Sequence, residues 1–162
     1  MDCTLDTAQL GARYRQLQRE LHPDRYAGAS AHEQRLAVQY SALINAAYAT
    51  LRKPLTRALY LLELAGMSKE SIASQQIDGG FLIVQMELRE KLEVMEGLVD
   101  PEPALDHLVA EINADVSQLQ RQFSQAYAAG EMSCAASACV KMQYLDKLLL
   151  EAEQIESRLI DR

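Results

Sequence analysis

The 162-residue sequence contains no tryptophan, only two phenylalanines, three cysteines, four prolines and seven glycines. Scarce glycine and proline, together with abundant Ala, Leu, Gln and Glu, favour helix over turn-rich β structure. No apolar run approaches the roughly 20 residues of a membrane-spanning helix. The N-terminus has neither the basic start and apolar core of a secretory signal nor the arginines of a transit peptide. We therefore expect an all-α cytoplasmic protein that has no membrane partner.

The cysteines do not indicate a disulfide framework, because their number is odd and their spacing is irregular. Cys134 and Cys139 are five residues apart, which places them on different faces of a helix and is not a usual spacing for metal ligands. We expect them and Cys3 to be reduced and buried or half-buried. The sequence predicts neither a metal site nor a cofactor.

The net charge of −7 is distributed unevenly. Residues 1–66 contain eight Lys or Arg and six Asp or Glu, a balance of +2, whereas residues 67–162 contain eight and 17, a balance of −9. This asymmetry predicts two modules with different partners, although surplus carboxylates could also merely solvate a long helical surface. An acidic second half argues against nucleic-acid binding, because neutralisation of phosphates dominates that kind of affinity.

A helix breaker divides the first half of the chain. Pro23 has no N–H to donate and restricts the residue before it, so the helix that begins near Asp6 should end at about Leu21. His22, Pro23 and Asp24, here called the His-Pro-Asp loop, should form a short, stiff loop that faces solvent. Along the helix before it, apolar residues recur at steps of four, three and four: Leu10, Tyr14, Leu17 and Leu21.

A second helix follows the loop. Ser30 and Glu33 match a capping box and predict a helix from there to about Leu51, so that the two helices form an antiparallel hairpin. Pro54 then suits the first position of a shorter helix, which Gly66 can end. The predicted buried positions are Leu36, Tyr40, Leu43, Ile44, Ala47, Tyr48 and Leu51 in the second helix and Leu55, Leu59, Leu62 and Leu64 in the third.

The second half predicts three long amphipathic helices. Residues 67–79 are rich in Ser and Gln and weakly periodic, so we place a linker there, between a domain at 1–66 and a bundle at 80–162. The helices should run over residues 81–98, 104–129 and 132–159, with the short connections of an up-down-up bundle. Their predicted core includes Leu105, Leu108, Ile112, Val116, Leu119, Phe123, Val140, Tyr144, Leu148, Ile155 and Leu159.

No catalytic constellation is visible. His22 and Asp24 could form an acid–base pair, but no third partner or enclosed pocket accompanies them, and His32 and His107 fit exposed helical positions. The residues of the segment suit a recognition loop, because Pro23 limits flexibility before binding and Asp24 offers a carboxylate to a partner's arginine. A purely structural loop, with Asp24 capping a turn, also fits. We expect a binding protein rather than an enzyme.

Several segments of the sequence resemble those of a known protein family. Tyr14-Arg15, the His-Pro-Asp loop and the segment 46–51 together resemble a J-domain, the module found in co-chaperones of DnaK-class heat-shock ATPases. Later segments are similar to the HscB family, the J-domain co-chaperones of iron–sulfur cluster assembly, so that the resemblance covers nearly the whole chain. Those segments are Arg57-Ala58, Tyr60-Leu61-Leu62, Phe81-Leu82, Gln85, Glu87-Leu88-Arg89-Glu90 and Tyr144-Leu145-Asp146-Lys147-Leu148.

The resemblance implies two partners, an HscA-type chaperone of the DnaK class and an IscU-type scaffold protein. The J-domain would favour ATP hydrolysis by the chaperone, and a C-terminal three-helix bundle would bind the scaffold. The implied chaperone-binding residues are His22, Pro23, Asp24, Tyr14, Arg15, Arg19 and Arg25. The implied scaffold-binding residues, of which the apolar ones could instead be bundle core, are Leu82, Ile83, Met86, Glu87, Glu90 and Tyr144.

One feature departs from the family pattern, which includes an aromatic-rich first helix packed on the hairpin. Only five residues precede Asp6, so that helix is expected to be missing, either because the start of the sequence is misassigned or truncated or because the J-domain lacks it. Two alternatives stay open at this point: a J-domain protein that serves another client, and a helical adaptor whose degenerate hairpin stimulates no ATPase. We expect a monomer.

Overall fold

The computed structural model describes residues 5–160, and all of the regular secondary structure in this range is helical. The predicted all-α class is therefore confirmed. Residues 1–4 and 161–162 are outside the described range. The expectation for Cys3 falls on these residues, and so does most of the stretch before Asp6, where we expected the family's first helix to be missing. The helices are α1 (Thr7–Leu21), α2 (Ala31–Arg52), α3 (Pro54–Leu64), α4 (Lys69–Ala73), α5 (Gly79–Glu93), α6 (Pro101–Ala129) and α7 (Met132–Ile160), with 3₁₀ turns at Pro23–Tyr26 and Met95–Gly97.

The chain divides into two compact units, the first ending at Tyr60 and the second beginning at Leu61. The predicted linker stretch contains the short helix α4, and its Ile72 is only 2 % exposed. The division into domains at 1–66, 67–79 and 80–162 stays a prediction.

Helices α1 and α2 begin where side chains accept hydrogen bonds from backbone N–H groups that have no partner within the helix. Asp6 accepts hydrogen bonds from the N–H groups of Ala8 and Gln9 at 2.9 and 3.0 Å. The capping box at the start of α2 is confirmed: the Ser30 N–H donates to the Glu33 carboxylate at 2.9 Å, and the Glu33 N–H donates to the Ser30 hydroxyl at 3.3 Å. The Ser30 side chain and N–H lower the pKa of the Glu33 carboxyl. These local contacts explain why both boundaries were predictable.

The hairpin of α1 and α2 has a thin interior. Its fully buried residues, Gly11 and Ala37, are small, and the larger apolar side chains between the helices are half-buried. A parallel stack of Tyr14 on Tyr48, with ring centroids 3.9 Å apart, joins the two helices. The Tyr14 hydroxyl also donates to the Asn45 side chain at 3.0 Å. The aromatic stack therefore supplies much of the specific contact between α1 and α2.

The predicted burial of Tyr40 and Leu43 on α2 is wrong, since they are 48 % and 62 % exposed. The apolar stripe of α2 is wider than one neighbouring helix can cover. Helix α1 contacts the flank that carries Tyr48, and Tyr40 and Leu43 lie on the other flank. Three further predicted core residues, Ala47, Leu64 and Tyr144, are also exposed.

The second unit contains the predicted three-helix bundle, formed by α5, α6 and α7. Helix α6 begins at Pro101, three residues earlier than predicted, because prolines are tolerated in a first turn whose N–H groups have no intrahelical partner. Helix α5 ends at Glu93, before the predicted 98, and a 3₁₀ turn follows it. Gly130, with a left-handed φ of 78°, ends α6 and allows α7 to return antiparallel along it.

The bundle core lies along the seam between α6 and α7. Most of the predicted core positions are buried, although Val116 and Leu159 are only half-buried. Cys139 is fully buried in this core, and burial raises the pKa of its thiol to about 12. Cys134 is exposed, contrary to the expectation of a buried or half-buried residue, and both thiols are free. The largest fully buried side chains of the unit are Leu62, Leu88, Ile112, Leu145, Leu148 and Cys139.

No helix within residues 5–160 is both long enough and apolar enough to cross a membrane.

We predict that Tyr48→Ala lowers the free energy of unfolding by about 2–3 kcal/mol, because it removes a half-buried ring and an aromatic stack from a hairpin with few other contacts. Tyr48→Phe keeps the stack and should cost less than about 1 kcal/mol. Urea unfolding followed by circular dichroism measures both variants. Equal stability of the alanine and phenylalanine variants would contradict the structural role of the stack.

Candidate functional site

The His-Pro-Asp loop lies directly after α1 and begins a 3₁₀ turn. His22 has an extended backbone and caps that turn, since its Nδ1 accepts a hydrogen bond from the Asp24 N–H at 3.3 Å. The Asp24 carboxylate lies 3.5 Å from the same Nδ1 atom. The Asp24 side chain is 89 % exposed and the His22 side chain is 57 % exposed. The loop therefore presents an imidazole ring and a carboxylate to solvent.

Contacts to the end of α1 hold the loop in place. The Arg25 guanidinium donates to the carbonyl of Arg19 at 3.0 Å, and the Tyr26 hydroxyl donates to the carbonyl of Glu20 at 3.4 Å. These carbonyls belong to the last turn of α1, where intrahelical partners are lacking and a positive charge is favoured. The loop conformation is thus fixed by satisfaction of a helix end and does not need a large hydrophobic core.

A basic groove lies beside the loop. It is open, has a volume of about 600 Å³, and is lined by Arg15, Gln18, Arg19, His22 and Arg25. The three arginines make it suited to an acidic protein surface, because guanidinium groups bind carboxylates strongly and steer their approach. Gln18 was not among the predicted site residues, and it lies here because helical spacing places it between Arg15 and His22 on the same face.

The structure brings six of the seven predicted chaperone-binding residues together at the loop and groove and gives Tyr14 a packing role. Tyr14 is half-buried, stacks on Tyr48, donates to Asn45 and accepts from the Gln18 amide at 2.5 Å. Its predicted contact with a chaperone stays a prediction.

Helix α5 presents a second candidate surface. It buries Leu88 and Leu92 against the bundle, at 1 % and 2 % exposure, and its opposite face is open. Leu82, Ile83 and Met86 on that face are 39 %, 60 % and 56 % exposed. The predicted scaffold-binding residues are therefore surface residues, and the alternative that the apolar ones form bundle core is wrong. The face, here called the α5 face, comprises Leu82, Ile83, Met86, Glu87 and Glu90, with Tyr144 of α7 at its edge.

Apolar side chains with nearby carboxylates are the composition of a protein interface. Val84, which is 42 % exposed, lies outside this face, because it borders a cavity between α5 and α6 together with Leu119. Tyr144 meets Phe81 edge-on, with ring centroids 6.2 Å apart, and the Lys147 ammonium lies 5.8 Å from the Tyr144 ring centroid. The Tyr144 ring is thus held at the edge of the α5 face.

The first turn of α5 is fixed by residues that were not predicted. Asp78 caps the helix by accepting the Phe81 N–H at 2.8 Å, and its other carboxylate oxygen pairs with the Lys141 ammonium at 2.5 Å. The hydrogen bond from Lys141, followed by that from Phe81, lowers the pKa of the Asp78 carboxyl. The Lys141 ammonium also lies 5.4 Å from the Phe81 ring centroid. Asp78 before two glycines is a recognisable cap signal, whereas nothing in the sequence pairs it with Lys141.

Within residues 5–160, no group of three or more His, Cys, Asp or Glu side chains is arranged to hold a metal ion. His32 and His107 are exposed, as predicted.

The fold and the two surfaces define an all-helical protein, with a stiff loop beside a basic groove on a hairpin and an apolar helix face on a three-helix bundle. Comparison with known proteins gives the family. The family model described as the HSCB C-terminal oligomerisation domain matches residues 77–153. The co-chaperone protein HscB homologue of Aeromonas hydrophila is 45 % identical over 157 residues, which are 97 % of this chain and 91 % of that protein. The homologue of Shewanella loihica is 39 % identical over 158 residues, 96 % of this chain and 91 % of that protein.

Solved structures give the same result. The chaperone HscB from Vibrio cholerae has a TM-score of 0.85 and 38 % identity, covering 98 % of this chain and 93 % of that one. The human co-chaperone protein HscB has a TM-score of 0.84 and 32 % identity, covering 96 % and 77 %. The chain belongs to the HscB family of co-chaperones, as the sequence resemblance predicted.

We predict that Leu82→Ala and Met86→Ala each change the free energy of unfolding by no more than about 0.5 kcal/mol, because both side chains are exposed. Leu88→Ala on the buried face of the same helix should cost about 2–5 kcal/mol. Urea unfolding of the three variants measures the difference. A loss of several kcal/mol for Leu82→Ala would assign that residue to the core.

Proposed function

We propose that this protein is a J-domain co-chaperone that joins an IscU-type iron–sulfur scaffold to an HscA-type chaperone of the DnaK class. The observation that carries the proposal is the exposed His-Pro-Asp loop at the end of an arginine-bearing helix, in a chain that belongs to the HscB family. The domain at 1–66 would engage the chaperone, and the bundle at 80–162 would bind the scaffold. The protein itself would do no chemistry and would act in the cytoplasm.

The proposed mechanism on the chaperone side is allosteric. A ligand shifts a conformational equilibrium only by binding one state better than the other. The loop would bind the ATP state of the chaperone and favour the arrangement that hydrolyses ATP. Its geometry supports this role, because the backbone is already fixed by Pro23 and by the bonds to α1, which lowers the ordering cost on binding.

Charge would direct the encounter. Arg15, Arg19 and Arg25 line the groove, which His22 also borders, and the exposed Asp24 carboxylate belongs to the same loop. A complementary chaperone surface would carry carboxylates for the arginines and one arginine for Asp24. The basic groups would mainly raise the association rate, and the Asp24 contact would mainly slow dissociation.

We predict that Asp24→Asn reduces stimulation of the chaperone's steady-state ATPase by at least about tenfold, because loss of one partner of a desolvated charge pair is costly. The fold should be unaffected, since the carboxylate is 89 % exposed. Asp106→Asn, an exposed substitution on α6, is the matched control and should stimulate normally. Full stimulation by Asp24→Asn would overturn the mechanism.

The α5 face is proposed as the scaffold site. Its three exposed aliphatic or thioether side chains and the edge of Tyr144 would be buried in the complex, and Glu87 and Glu90 would meet basic groups of the scaffold. Because both binding modules are on one chain, a bound scaffold would be held at high local concentration near the chaperone.

We predict that the triple change Leu82→Ala, Met86→Ala and Tyr144→Ala weakens scaffold binding by at least about 100-fold, since several anchors of one interface are removed together. Calorimetric titration with the purified scaffold measures it. A triple change of exposed apolar residues outside the face, Leu98→Ala, Val99→Ala and Leu150→Ala, is the control. Equal affinity of the two triple variants would show that the scaffold binds elsewhere.

The scaffold titration and the ATPase assay together separate the alternative functions. A J-domain protein for another client would stimulate the ATPase without binding the scaffold, and an adaptor with a degenerate hairpin would not stimulate it. The expected monomeric state stays a prediction, and sedimentation equilibrium measures it independently of both partners.

A further inference from the structure

The N-terminal turn of α5 contains two residues that disfavour helix. The helix begins with Gly79 and Gly80, and glycine is the weakest helix former after proline because it loses the most backbone freedom. Leu82 and Ile83 of the α5 face follow at once, so the glycines lie where an interface needs an ordered backbone. Neither glycine has a positive φ, so the backbone conformation does not itself require glycine.

Contacts among four side chains offset the low helix propensity of the two glycines. The Asp78 carboxylate caps the turn and pairs with the ammonium of Lys141, whose side chain is only 20 % exposed. The same ammonium also lies over the Phe81 ring. Phe81 in turn contacts Tyr144. Asp78 is the N-cap residue of α5, Phe81 lies in its first turn, and Lys141 and Tyr144 lie on α7. These contacts therefore hold the glycine-containing turn against α7.

We propose that Asp78 and Lys141 are positioning residues, which keep the Gly79–Gly80 turn helical and the α5 face preorganised for the scaffold. The inference rests on the proposed function of the α5 face, and neither residue is proposed to touch the scaffold. A preorganised surface binds more tightly because less conformational freedom is lost on binding. The Asp78–Lys141 pair would therefore raise affinity through the backbone of α5.

The test uses the full chain and two readouts, calorimetric affinity for the purified scaffold and amide hydrogen exchange at residues 81–84 in the free protein. Lys141→Met should weaken binding about fivefold and speed exchange at 81–84, because the turn frays more often. Lys141→Arg keeps the charge and should remain within about twofold of the parent chain. Asp78→Asn keeps a capping side chain but removes the ion pair, so it should behave as Lys141→Met does.

A rescue experiment separates positioning from direct contact. A Cβ at Gly79 would meet no atom within 4 Å, whereas one at Gly80 would lie 3.2 Å from the Asp78 carboxylate. Gly79→Ala can therefore strengthen the turn without a clash. In the Lys141→Met background it should recover about two- to fourfold in affinity and slow the exchange, since alanine favours the helix. In the parent chain, where the turn is already ordered, it should change affinity by less than about twofold.

A matched control is available at the other end of α5. Lys91 forms an ion pair of 3.0 Å with Glu111 of α6, and Lys91→Met should change neither readout. Weaker binding by Lys141→Met without faster exchange and without rescue by Gly79→Ala would mean that Lys141 touches the scaffold, which overturns the inference. Unchanged affinity and exchange would overturn it as well.

Failure of the proposed function gives a different result. A parent chain that does not bind the scaffold overturns the scaffold role of the α5 face and with it the affinity part of the inference. The exchange rates still decide the structural part, because faster exchange at 81–84 in Lys141→Met supports ordering of the turn and unchanged exchange overturns it.

Discussion

Helices α6 and α7 pack along an apolar seam, and the second unit depends on this contact. Each helix has 29 residues, and small residues of α7 such as Ala135, Ala136 and Cys139 are completely buried in it. Small side chains let two helices approach closely over a long distance. Because this pair supplies most of the core, α5 needs to bury only one face. Its other face can remain apolar and exposed without loss of stability, which is the condition for an interface on a helix.

The first unit has fewer buried groups than the second, and its loop is held in place by other contacts. Its loop holds a fixed shape while the side chains of His22 and Asp24 are exposed to water. The free carbonyls at the end of α1 provide the fixed points, because Arg25 and Tyr26 donate to them. A loop built in this way is specified by a few hydrogen bonds and by one proline. It can thus be stiff on a hairpin whose interior consists mainly of half-buried side chains.

The sequence determined the local features and left the tertiary ones open. The start of α2 at Ser30 and the end of α1 before Pro23 could be predicted because caps and breakers act on adjacent residues. The exposure of Tyr40 could not, since it depends on which flank of α2 the neighbouring helix covers. The sequence also left Leu82 undecided between core and surface. Lys141 gave no signal at all, because its role comes from a cap that is distant in the sequence and close in the fold.

The buried thiol of Cys139 bears on metal chemistry. Only a thiolate binds iron or attacks a disulfide. With its pKa raised to about 12 by burial, this sulfur stays protonated at neutral pH and is closed to solvent. The scaffold-binding role proposed above requires that the protein leave the metal on its partner. The bundle core meets that requirement at this position, because Cys139 serves as a small apolar packing residue and offers iron no ligand.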